Sequence, residues 1–177
     1  RVMAPVRRLK PYDGPALFSY GFRPYFLAGA IFGALAIAAW LPQYEGAILP
    51  PGVLAPVAWH THEMLFGFAP AVITGFLLTA VPNWTGRLPL QGRPLILLFL
   101  VWLAGRVAVA ASAWLGWAAT MAVDSAYLLL LAAVVGREIV AGKNWRNLKV
   151  FVILSLLFLI NVAFNMEAHL TGAAAYA

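Results

Sequence analysis

Long apolar runs, each ended by a short cluster of proline, glycine or charged residues, follow one another along this 177-residue chain. They predict helices over 25–41, 58–81, 94–114, 117–136 and 148–169, each about 17–24 residues where roughly 20 apolar residues cross a bilayer. The longest polar interruptions are the N-terminal arm, 42–57 and 137–147. No internal repeat, low-complexity tract or soluble domain stands out. The expected organisation is an arm over 1–24 and a transmembrane helical domain over 25–177.

Composition agrees with the pattern. With 63% hydrophobic and 10% charged residues and a mean hydropathy of +0.86, the chain has too little polar surface to cover a soluble globule. The fold class is therefore all-α, a polytopic membrane bundle of about five transmembrane helices embedded in a lipid bilayer. A cleavable signal peptide is not expected, because 24 residues ahead of the first apolar run is long for such a leader. The absence of cysteine excludes disulfides, thiolate zinc sites, iron–sulfur clusters and haem attached through Cys-x-x-Cys-His.

Charge changes the picture by setting an orientation. Arg1, Arg7, Arg8, Lys10 and Arg23 precede the first run, Arg87 and Arg93 separate the second and third, and Arg137, Lys143, Arg146 and Lys149 separate the fourth and fifth. The other two loops carry none. The positive-inside rule then makes the N-terminus and arm cytoplasmic and ends the fifth helix outside. Trp40, Tyr44, Trp59, Trp114 and Trp117 form the expected outer aromatic belt, with Trp84 and Trp145 on the inner side. The net charge of +6 is thus a topology signal. Nucleic acid is not an expected partner, since the basic residues do not gather on one soluble face.

The candidate chemistry lies where the second helix begins. Trp59-His60-Thr61-His62-Glu63-Met64-Leu65-Phe66-Gly67-Phe68 places two of the three histidines, a carboxylate and a thioether at the mouth of a membrane span. Ionisable groups at that depth are costly and usually serve a pathway, a cofactor or one another; the plainer role is hydrogen bonding in the headgroup zone. The fifth helix carries Glu167 and His169 in its last turn, so all three histidines reach one leaflet. Axial haem ligation needs imidazoles at matched depth on facing helices, which makes His62 and His169 the expected metal-binding pair and His60 the next candidate.

At about 100° per residue His60 and His62 point roughly 200° apart, whereas His60, Glu63, Met64 and Gly67 share a stripe. Two sites, or one site with a spectator, follow. Gly67 would admit a flat macrocycle or a neighbouring helix. Met64 and Met166 are soft potential copper ligands, though each is ordinarily core filler. Arg106 and Asp124 are two further charges inside the hydrocarbon, each about two turns from the outer end of its helix, and are expected to pair. In the functional reading Arg106 faces a haem propionate or an anionic substrate and Asp124 orients it. Pro70 with Gly67 and Gly75 predicts a kink in the second helix.

The histidine segment, together with Gly75-Phe76-Leu77-Leu78-Thr79-Ala80-Val81-Pro82-Asn83-Trp84-Thr85-Gly86-Arg87, Leu103-Ala104-Gly105-Arg106 and Asn144-Trp145-Arg146-Asn147-Leu148-Lys149, resembles the NnrS family of bacterial inner-membrane proteins. The likeness extends from Pro11-Tyr12-Asp13 and Ser19-Tyr20-Gly21-Phe22-Arg23-Pro24 onward. It implies a haem- and copper-containing protein linked to the nitric oxide response of denitrifiers and bacteria under nitrosative stress. Family members are about twice this long, with around twelve helices, so the chain corresponds to an N-terminal portion. The resemblance does not make it an enzyme. The alternatives are a transporter or channel fragment with Arg106, Asp124 and His62 along a polar path, and a purely structural subunit.

Overall fold

The structure, a computed structural model, describes residues 12–49 and 52–171. Five helical spans are long and apolar enough to cross a membrane, matching the number read from the apolar runs. They comprise α1 (Phe22–Tyr44), α2 (Pro56–His62) continued through a π-turn (Glu63–Phe68) into α3 (Ala69–Thr85), α4 (Arg93–Ala110), α6 (Trp117–Ala141) and α7 (Leu148–Leu170). A short α5 (Ser112–Leu115) caps α4. No β-strand occurs among the described residues.

The spans alternate in direction. At one end Gly92 N donates to Phe18 O, Asn144 Nδ2 donates to Trp84 O, and Arg87 pairs with Glu138. At the other, Val53 N donates to Ser112 Oγ at 3.0 Å, and the turn from α5 to α6 passes through Gly116 with φ +76°, a left-handed conformation that side chains disfavour. The first end gathers Arg23, Arg87, Arg93, Arg137, Lys143, Arg146 and Lys149; it is called the basic end below. Of the expected N-terminal arm, residues 1–11 lie outside the described residues; Phe18 packs edge-on to Phe99 of α4 at 5.9 Å.

Helix α6 is the centre of the bundle, packed against α3, α4 and α7. Its apolar contacts form one core with Tyr25, Leu95 and Trp102. The buried residues of α7 are Leu154, Asn161 and Ala168, a single stripe with a period of seven, so most of that helix is left to lipid. The expected outer belt is corrected at Trp59, which is buried in a second core cluster with Ala36, Leu54 and Val109; Trp114, by contrast, is exposed.

The kink expected at Pro70 is resolved as the π-turn. Proline lacks the N–H that would bond the carbonyl four residues back, and its ring crowds that carbonyl. Widening the preceding turn relieves the crowding, and Ala69 N accordingly donates to Met64 O, five residues away. The loosened backbone gains an outside partner, because Trp102 Nε1 on α4 donates to Gly67 O at 3.0 Å.

Trp102 should therefore hold the π-turn through its N–H as well as its ring. Trp102→Phe, which keeps an aromatic ring and loses the donor, is expected to cost about 1 kcal/mol in reversible unfolding in detergent. Trp102→Ala should cost about 3–5 kcal/mol. An unaltered Trp102→Phe midpoint would remove the bond from the account.

Candidate functional site

One residue of the second span sets the site. His62 closes α2, is 0% exposed, and lies between the rings of Phe66 and Phe164, 5.2 and 5.3 Å away. Its Nδ1 is 3.3 Å from Glu63 Oε1; its Nε2 is 3.0 Å from Asp124 Oδ2 and 3.1 Å from Asn161 Oδ1. Arg106 reaches across from α4: its Nη1 donates to Glu63 Oε2 at 2.7 Å and its Nη2 donates to Asp124 Oδ1. The expected Arg106–Asp124 pair is thus formed, and Glu63 joins it.

Two asparagines of α7 complete the cluster. Asn161 Nδ2 donates to Asp124 Oδ2 at 2.8 Å, and Asn165 Nδ2 donates to Asn161 Oδ1 at 3.1 Å. The sequence reading did not single them out. Their signal was present, since two amides four residues apart inside an apolar run lie on one helix face and need partners in hydrocarbon.

The electrostatics close on themselves. Every neighbour of the two His62 nitrogens is an acceptor, so all three contacts are hydrogen bonds only when both nitrogens carry hydrogen. Two cations then face two anions, and the cluster is neutral. Only Arg106 Nε in the group is buried without a partner; such a network rigidifies its surroundings, and removing one charged member is strongly destabilising.

The stripe expected from a regular helix divides. Glu63 and Gly67 face Arg106, and a Cβ on Gly67 would sit 2.4 Å from Arg106 Nη1. The space foreseen for a macrocycle is thus filled by the guanidinium. His60 turns instead to α1, where its ring stacks on Trp40 at 4.2 Å and its buried Nδ1 has no hydrogen-bond partner. Met64 packs with the second apolar cluster, and Met166 is 44% exposed.

His169 is an exposed residue near the end of α7, its ring stacked on Trp117 at 4.1 Å and nearly parallel. The matched depth expected of His62 and His169 is not found. His62 bonds Asp124, seven residues along α6 from Trp117, and Asn161, eight residues along α7 from His169, which separates the imidazoles by about 10–12 Å along the bundle. The structure brings together His62, Glu63, Arg106 and Asp124 and keeps His60 and His169 apart from them. Among the described residues no three His, Asp or Glu side chains form a group that could hold a metal ion.

Removing one charge should strand its partners. Arg106→Gln and Asp124→Asn are each expected to cost about 3–5 kcal/mol, with the double variant recovering part of the summed loss. Unfolding of the three variants in detergent measures the coupling, and strictly additive losses would contradict a shared network.

No curated protein and no solved structure matches this chain. A family model does, that of the NnrS protein, over residues 16–177. That match takes in every described helix and all residues of the cluster, and the chain belongs to the NnrS family.

Proposed function

We propose that this chain is part of a membrane protein of the nitric oxide response, in which haem and copper are carried near the end opposite the basic one. Family membership over 16–177 is the observation that carries the reading, joined to what that resemblance implies. Nitric oxide is small, apolar and soluble in hydrocarbon, so a site in this bundle needs neither a channel nor a charged cleft. When bound, the metals would supply coordination of nitric oxide.

The residues differ in how well they suit that role. His60 fits a metal, because a buried ring nitrogen lacks a partner and Trp40 fixes the plane of the ring; it is the proposed copper ligand, with Met64 next to it in the helix turn as the softer candidate. His169 fits as a haem ligand on similar grounds, an accessible imidazole held flat on Trp117. His62 and Glu63 do not fit direct ligation in this arrangement, since both imidazole nitrogens and both carboxylate oxygens are already engaged; Arg106 has both Nη groups engaged and only a buried Nε without a partner, one donor where a propionate uses a pair. Their role is to fix α2, α4, α6 and α7 relative to one another, and through α2 and α7 to position His60 and His169.

A permeation path through Arg106, Asp124 and His62 is less well supported. These residues are 7%, 1% and 0% exposed, and groups lining an aqueous path must meet water.

The proposed orientation places the basic end in the cytoplasm of a bacterial inner membrane. Cysteines introduced singly at Arg87 and Lys143 should resist an impermeant thiol reagent applied from outside, and one at Glu45 should react. Outside labelling at Arg87 would reverse the topology.

Optical absorption and metal analysis of the purified full-length protein test the cofactor reading. A Soret band that moves on addition of nitric oxide is expected, weakened or shifted in His169→Ala, with copper content lowered in His60→Ala. A colourless, metal-free protein from haem- and copper-replete membranes would overturn the proposal.

A further inference from the structure

A cavity of about 570 Å³ lies away from the histidine cluster, at the basic end, between α3, α6 and the connection from α3 to α4. Its walls change character with depth. On α3 the lining runs from Leu78 and Val81 to Thr85, and on α6 from Val134 to Glu138, spans of seven and four residues or about 10 and 6 Å along the helices. The deep part is aliphatic. Beside the neutral Thr85 and Gln91, its polar part is formed by three charged residues, Arg87, Arg137 and Glu138.

Those three residues do not balance. Arg87 pairs with Glu138 Oε2 and Arg137 Nη2 donates to Glu138 Oε1 at 2.7 Å, so two guanidinium groups share one carboxylate and one positive charge is left over. The arginine side chains are 44% and 69% exposed. Exposed ion pairs are weak, and guanidinium groups suit phosphate through paired, charge-assisted hydrogen bonds. A soluble anion would use the arginines and leave the aliphatic depth empty. A phosphate attached to an acyl chain would use both.

We propose that this cavity binds an anionic phospholipid, its phosphate on Arg87 and Arg137 and the start of an acyl chain between Leu78, Val81 and Val134. Glu138 is a positioning residue that holds both guanidinium groups at the mouth and is displaced from one of them by the headgroup.

Native mass spectrometry of the delipidated full-length protein, with phosphatidylglycerol or phosphatidylcholine of the same acyl chains added, reads the binding. Wild type should retain phosphatidylglycerol on the order of tenfold better, the effect of one charge-assisted contact, and excess inorganic phosphate should not displace it. Arg137→Gln, at the most exposed of the three side chains, should lower the preference, and Arg87→Gln/Arg137→Gln should abolish it. Val134→Trp, which fills the aliphatic depth and keeps both arginines, should reduce retention of either lipid. Equal retention of the two lipids by wild type, or an unchanged preference in the double variant, would overturn the proposal. So would displacement by inorganic phosphate with full binding to Val134→Trp, which would assign the arginines to a soluble anion.

Discussion

A guanidinium group inside hydrocarbon requires anions at fixed positions, and the placement of Arg106 constrains most of this bundle. One carboxylate would neutralise it; two, Glu63 and Asp124, come from different spans and bind different nitrogens of the same side chain. The second carboxylate creates an excess negative charge, which His62 answers from between them. Asn161 and Asn165 then supply donors to the remaining acceptor oxygens. Even α1 takes part, through the Phe32 ring 6.0 Å from the guanidinium carbon. Each step follows from the cost of leaving the previous polar atom unpaired in a medium without water. Apolar packing alone discriminates weakly among arrangements of helices when lipid is as apolar as the side chains. A polar network joining four spans, with the Phe32 ring of α1 against its guanidinium, singles out one.

The network depends on a local distortion of the backbone. On a regular helix His62 and Glu63 would diverge by about 100°, yet both are buried and both join one cluster, His62 through Asp124 and Glu63 through Arg106. The π-turn beginning at Glu63 makes this compatible with Pro70 two residues beyond its end, and the open space at Gly67 admits the guanidinium. Proline, glycine and the paired charges are thus one arrangement, with Trp102 tying the loosened carbonyl to the helix that carries Arg106.

This explains which parts were legible in the sequence. The spans follow from apolar length, a property of each segment by itself, and their alternation follows from the short loops. The Arg106–Asp124 pair was legible because two isolated charges at equal depth on adjacent helices have few other partners. The inclusion of Glu63 was not, since a helical wheel assumes the regular geometry that the π-turn abandons. The same assumption put His60, Glu63 and Met64 on one stripe. His62 and His169 were matched in depth from their positions near helix ends, but the depth of His62 is set by the residues it bonds on α6 and α7, two turns further in. Asn161 and Asn165 were overlooked because neutral amides in a long apolar run leave hydropathy almost unchanged, although their spacing already placed them together.

The degree to which their ring nitrogens are satisfied separates the central His62 from His60. In the centre, His62, Glu63, Arg106 and Asp124 bind one another with only Arg106 Nε left without a partner, and a ligand that replaced those contacts would have to break bonds that hold the spans in place. Near the end opposite the basic one, an imidazole leans on an indole in each of two helices, and Trp40 Nε1 and His60 Nδ1 are buried without partners. Such atoms carry a desolvation cost that a ligand can remove without disturbing the fold. A bundle fixed from its centre follows from that division: the expensive charges hold the helices to one another, and the two imidazoles at the margin, stacked on indoles, stay outside that network.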